Sequence, residues 1–153
     1  MNLKEFNIQN ALGSLTNAEK RKMAANPSTP IEILVELSIG HNRHIRRRVA
    51  MNTNIAALPE KDLIKLANDT SYDVRYQVSI NPHTPAEILI KMTSNTLNKA
   101  LIKYNVQLNP NTPEEVAFKL KCNHLKKLIK KERKTKILYK INKGKTNGKC
   151  ARK

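Results

Sequence analysis

Apolar residues recur along this chain in short clusters set three and four positions apart. Ile33, Leu34 and Leu37 form one cluster; Leu63 with Leu66, Ile88 with Leu89 and Met92, and Val116 with Leu120 form others. That spacing puts the side chains on one face of a helix. Between these clusters stands a second kind, an aliphatic–basic pair followed four residues on by valine. It reads Ile45-Arg46 with Val49, Val74-Arg75 with Val78, and Ile102-Lys103 with Val106, with a weaker echo at Ile129-Lys130. Each of these valines leads to an asparagine. Counting Asn26, Asn52, Asn81 and Asn109, the steps are 26, 29 and 28 residues. Two short helices in each period of that length predict an all-α array of stacked repeats.

Turn chemistry sharpens the boundaries. Thr29-Pro30-Ile31-Glu32 returns as Thr84-Pro85-Ala86-Glu87 and Thr112-Pro113-Glu114-Glu115. This order predicts Thr at the N-cap, Pro at the first helical position and Glu two residues further in. The second copy is degraded: Asn52-Thr53-Asn54 reaches its proline only at Pro59, which predicts a longer loop. Ahead of the repeats, residues 2–12 read as a short helix using Leu3, Phe6 and Leu12, stopped by Gly13. Thr16-Asn17-Ala18-Glu19 has the spacing of a capping box, and its helix should end at Asn26, before Pro27. Past Leu120 the pattern decays. One helix is expected to about Lys134, a turn or short helix through Ile141, and a mobile tail from Gly144. The expected organisation is a repeat body over 1–120, a basic helical segment over 121–142 and a flexible basic tail over 143–153.

The unit Asp69-Thr70-Ser71-Tyr72-Asp73-Val74-Arg75-Tyr76-Gln77-Val78-Ser79-Ile80-Asn81-Pro82, joined to Thr84-Pro85-x-Glu87-x-Leu89, resembles the leucine-rich repeat variant, an all-helical relative in style of the HEAT repeats. The resemblance covers about residues 19–120. It implies a right-handed α-solenoid of four to five short two-helix repeats, some helices in 3₁₀ form. It also implies that an Asp placed like Asp69 pairs with a Val-Arg arginine between layers. Some members of that family carry an iron–sulfur module upstream; here no cysteine precedes Cys122, and no cofactor is expected.

Charge changes the picture of what the array does. The net charge is +17 over 153 residues. Residues 1–118 hold 14 basic against 11 acidic residues, a net of +3, while residues 119–153 hold 15 against 1, a net of +14. Such an excess favours nucleic acid, an acidic protein or an anionic surface as partner. Two cysteines are too few for a disulfide framework, and no apolar run approaches the ~18 residues of a membrane span. A cytoplasmic protein without membrane insertion is expected; its oligomeric state is open.

The candidate nucleic-acid contacts form two groups. Lys20, Arg46, Arg75 and Lys103 hold equivalent positions in the second helices, thickened by Arg21, Arg47 and Arg48. They can follow a phosphate backbone or tie layers together through carboxylates such as Asp69 and Asp73. The second group is Lys126, Lys127, Lys130, Lys131, Arg133, Lys134, Lys136 and Lys140, with Glu132 the lone acid and Tyr139 a possible stacking ring. The other chemistries are poorly supplied. His41, His44, Cys122, His124 and Cys150 lack usual metal-site spacing, and no Gly-rich phosphate loop or nucleophile–base set is present. The HEAT-like alkylpurine DNA glycosylases grip DNA with such an architecture, but they use aromatic residues, and this chain has no Trp and two Phe. The expectation is a non-enzymatic nucleic-acid-binding solenoid, DNA slightly ahead of RNA. The alternative is an adaptor whose groove takes an acidic or peptide partner.

Overall fold

The computed structural model describes the backbone of residues 1–98 and 100–147, and the side chains as far as Tyr139. Among these the chain is all-helical, with no strand. The helices are α1 (Leu3–Ala11), α2 (Asn17–Ala25), α3 (Ile31–Ile39), α4 (Arg43–Ala50), α5 (Glu60–Ala67), α6 (Tyr72–Ile80), α7 (Ala86–Ser94), α8 (Ala100–Leu108) and α9 (Glu114–Asn147). The chain divides into two compact units, Met1–Ala117 and Phe118–Lys153.

In the first unit, α1, α3, α5 and α7 pack in one row and α2, α4, α6 and α8 in another, with α3 on α4, α5 on α6 and α7 on α8. The apolar clusters fill the space between rows. Ile33, Leu34, Leu66, Ile88, Leu89 and Met92 come from the first row and Val49, Val74, Val78, Ile102 and Val106 from the second, all fully buried. Each such side chain contributes about 1.5–3 kcal/mol relative to exposure, so the periodic core dominates the stability of short helices that would not stand alone. Val116 and Leu120 are only half-buried, and Ile129 is half exposed.

The asparagines do more than end helices. Asn52 donates through its side-chain amide to the carbonyls of Ala24 (2.9 Å) and Asn26 (3.1 Å). Asn81 does the same to Ala50 (2.9 Å) and Asn52 (3.0 Å), and Asn109 to Ser79 (3.0 Å) and Asn81 (2.9 Å). Their Oδ1 atoms accept from the amides of Asn54, His83 and Asn111. Each buried asparagine thus closes its own turn and satisfies the carbonyls at the end of the preceding repeat's helix.

Three expectations are corrected. First, the threonines do not cap. Pro30, Pro59 and Pro85 are themselves the N-caps, with ψ near 140–147°, and no side-chain cap bond is present. Thr29 and Thr84 instead donate their hydroxyls to Met23 and Val78, each at 2.7 Å, and Thr112 donates to Val106. Lying one residue ahead of the cap, the hydroxyl reaches the end of the helix before it more easily than the amides after it. Second, the extra residues of the second repeat form a 3₁₀ turn, Thr53–Ala57, which buries Ile55 and is followed by buried Leu58 at the threonine position. Third, α9 is continuous through Asn147, with neither the break near Lys134 nor a loss of helix at Gly144. Residues 148–153 of the expected tail lie outside the described residues. The capping box of Thr16 and Glu19 is present, and Gly13 follows α1 at φ 69°, the left-handed geometry that suits glycine.

Candidate nucleic-acid interface

The arginines of the Val-Arg positions face the next repeat. Arg46 grips Asp69 with two bonds, Nε to Oδ2 at 2.6 Å and Nη2 to Oδ1 at 2.9 Å, and donates through Nη1 to the carbonyls of Gly40 (2.8 Å) and His41 (2.9 Å). The bonded carboxylate raises the Arg46 pKa against the opposing pull of burial. The resemblance placed Asp69 with a layer-tying arginine; that arginine belongs to the repeat before it. Arg75 is buried and turns to the following turn, donating Nε to Asn98 Oδ1 (3.1 Å), Nη2 to Leu97 O (3.2 Å) and Nη1 to the carbonyls of Asp69 (2.6 Å) and Thr70 (3.2 Å). Asn98 stands 23 residues after Arg75, as Asp69 stands 23 after Arg46. Both guanidiniums therefore fasten one repeat to the next, the first with a carboxylate and the second with neutral oxygens. Asp73, four residues beyond Asp69, is exposed and makes no ion pair among the described residues.

One position further along, the second-row helices turn partly outward: Arg21, Lys22, Arg48 and Tyr104 are exposed, Arg47, Tyr76 and Asn105 half-buried, and Gln77 buried. Arg21, Arg47, Tyr76 and Tyr104 are equivalent, and the next position holds Lys22, Arg48, Gln77 and Asn105. Ala25, Met51, Ile80 and Leu108 follow three residues later, all exposed. Among the described residues Arg21, Lys22, Arg47 and Arg48 make no ion pair. Lys20 and Lys103, equivalent to Arg46 and Arg75, are half-buried. In the sequence this register is marked by Arg21, Arg47 and Arg48 on α2 and α4; on α6 and α8 it carries no charge and shows only in the helical spacing of three and four residues.

In the second unit, Lys126, Lys127, Lys130, Lys131, Arg133, Lys134 and Lys136 are all exposed on α9. Lys140 lies on the same helix, and its side chain is outside the described residues. Glu132 bonds Lys136 at 3.0 Å, one turn on, and Tyr139 is 67% exposed. Lys126 with Lys130, Lys127 with Lys131 and Lys130 with Lys134 are like charges one turn apart, each pair costing about 0.2–0.5 kcal/mol of helix stability. A row of phosphates would relieve that repulsion.

Asp62 is a buried acid that composition did not reveal. It holds the position of the core residues Ile33 and Ile88, donates nothing, and meets Lys65 at 2.9 Å through Oδ1 while Oδ2 has no partner. A shallow hollow of about 570 Å³ beside the Arg46–Asp69 pair is lined by Ser38, His41, Lys65 and Thr70 as well. The Asp69 carboxylate there is held by Arg46, and the Ser38 hydroxyl donates to the carbonyl of Val35 at 2.7 Å. Among the described residues no three His, Cys, Asp or Glu side chains gather as a metal site, and no helix is long and apolar enough to cross a membrane. Cys150 lies outside them.

Set against known proteins, the chain matches no family model, no curated protein and no solved structure.

Proposed function

We propose that this is a non-enzymatic nucleic-acid-binding protein, with DNA the favoured polymer, built on a right-handed α-solenoid of leucine-rich-repeat-variant type. Two rows of helices and an asparagine ladder repeating in phase support the solenoid. The observation that carries the binding is α9: seven exposed cations between residues 126 and 136 with one acid among them. Such a surface meets phosphates without reading bases, so binding is backbone-led. Arg46 and Arg75 then serve as scaffold, and the phosphate contacts fall to the lysines of α9.

The test is a titration of the full chain with duplex DNA, single-stranded DNA and RNA at two salt concentrations. A protein neutralising six to ten phosphates loses about 10³–10⁵ in affinity between roughly 50 and 200 mM salt. Changing Lys126, Lys127, Lys130 and Lys131 together to Gln should remove most of the binding and flatten that slope. Affinity indifferent to salt would refute the proposal.

A further inference from the structure

The outward face of the second-row helices changes character halfway along. Over α2 and α4 it presents Arg21, Lys22, Arg47 and Arg48, with no described carboxylate paired to any of them. Over α6 and α8 the positions of those cations hold half-buried Tyr76, buried Gln77, exposed Tyr104 (52%) and half-buried Asn105. Ile80 (42% exposed) and Leu108 (61%) stand where α2 and α4 have Ala25 and Met51, with exposed Leu101 beside them. Among the described residues of α6 and α8 the exposed charge is Asp73, and Lys103 is half-buried. Neighbouring helices in such a row lie about 8–10 Å apart, so the four helices offer a track roughly 25–30 Å long.

We infer that this face is a docking surface for a protein segment that is acidic over one half and apolar over the other. A phosphate chain running along the row fits it less well, because beyond α4 the described cations are buried Arg75 and half-buried Lys103, and the exposed side chains it would meet there include Asp73, Tyr104 and Leu108. An acidic–apolar segment matches both halves. Its carboxylates face four cations that make no ion pair among the described residues, and its apolar residues cover Tyr104, Leu108 and Ile80, each more than 40% exposed. Tyr and Arg are also the residue types that most often anchor protein interfaces. A helix of roughly eighteen residues, at 1.5 Å each, spans the track. None of its residues belongs to α9, so the inference does not depend on the nucleic-acid reading.

The probe is a fluorescein-labelled peptide of roughly eighteen residues, matched to the track at 1.5 Å per residue. Its acids fill one half and its Leu and Phe the other. The control has the same composition with the two kinds interleaved. Against the full chain, the block peptide should bind at least about tenfold more tightly than the interleaved one, the size of one good anchor. Arg47→Ala with Arg48→Ala, and separately Tyr104→Ala with Leu108→Ala, should each weaken it by about tenfold or more. Arg48, Tyr104 and Leu108 are exposed and Arg47 is half-buried, and unchanged helicity by circular dichroism checks the fold. Neither should alter binding of an oligo-dT strand by more than about twofold, well under one such anchor. Equal binding of the two peptides overturns the inference, since charge alone would then suffice. So does loss of oligo-dT binding in the Tyr104/Leu108 variant, which would make this a nucleic-acid surface. Failure of the strand to bind at all counts against the nucleic-acid proposal and leaves this one intact.

Discussion

The side-chain amide of Asn81 donates to the backbone carbonyl of Asn52 at 3.0 Å, joining two residues that hold the same place in successive repeats. Its second proton goes to Ala50 at 2.9 Å. Replacing Asn81 by Ala leaves two buried carbonyls and one turn amide without these partners, at a cost of about 1–3 kcal/mol. Asn26 bonds the Ser28 amide at 2.9 Å and is exposed, so Asn26→Ala should cost less. Urea denaturation of the two variants gives the comparison, and equal losses would show that the ladder bonds carry nothing beyond turn closure.

Arg46→Lys keeps the charge and loses the fork. Asp69 would retain a cation but not two parallel bonds, and the carbonyls of Gly40 and His41 would compete for one ammonium. A drop of about 1–3 kcal/mol in unfolding free energy is expected, with DNA affinity unchanged. Unaltered stability with weakened DNA binding would instead put Arg46 among the ligand contacts.

Asp62→Ile should stabilise the chain. The position is that of Ile33 and Ile88, and the carboxylate keeps one oxygen buried and unpartnered. Exchanging a buried charge and its partner contact for well-packed apolar volume commonly gains about 1–4 kcal/mol. The chemical midpoint of unfolding should rise, whereas Asp62→Asn, still polar, should not raise it.

The carboxylate of Glu19 is held below the ordinary glutamate range by the Thr16 hydroxyl and then by the Thr16 amide. A group whose pKa is lowered on folding adds stability that is present above its unfolded value and fades as pH falls through the lowered one. Glu60, drawn down by Lys91, behaves alike. Thermal melts of the parent and of Glu19→Gln should therefore differ at neutral pH and converge in acid. A gap that persists in acid would assign the effect to side-chain shape.

What the sequence made legible was the periodic part. Ile33, Val49, Val78 and Leu89 are buried where their spacing put them, because a repeated core position has one environment in every copy. The threonines were misplaced by one residue, since Thr-Pro looks the same whether its hydroxyl serves the helix ahead or the one behind; only the extended backbone at Pro30 separates the cases. Arg46 and Arg75 look alike in sequence, yet one meets a carboxylate and the other an asparagine, a difference set 23 residues away. Asp62 was hidden because one acid in a helix's first turn ordinarily points to water, where it suits the helix dipole.

The direction of the ties between repeats has a consequence for synthesis. Asn52, Asn81 and Asn109 bond to chain that left the ribosome before them, so their acceptors are already made when they emerge. Arg46 and Arg75 bond to residues that follow by about one repeat, Asp69 for the first and Asn98 for the second. A nascent chain ending between them holds a latched rear edge and an open front edge, whose arginine waits for the next turn to be translated. At ~5–20 residues per second that wait is a few seconds, long enough for each repeat to settle on the last before the next arrives.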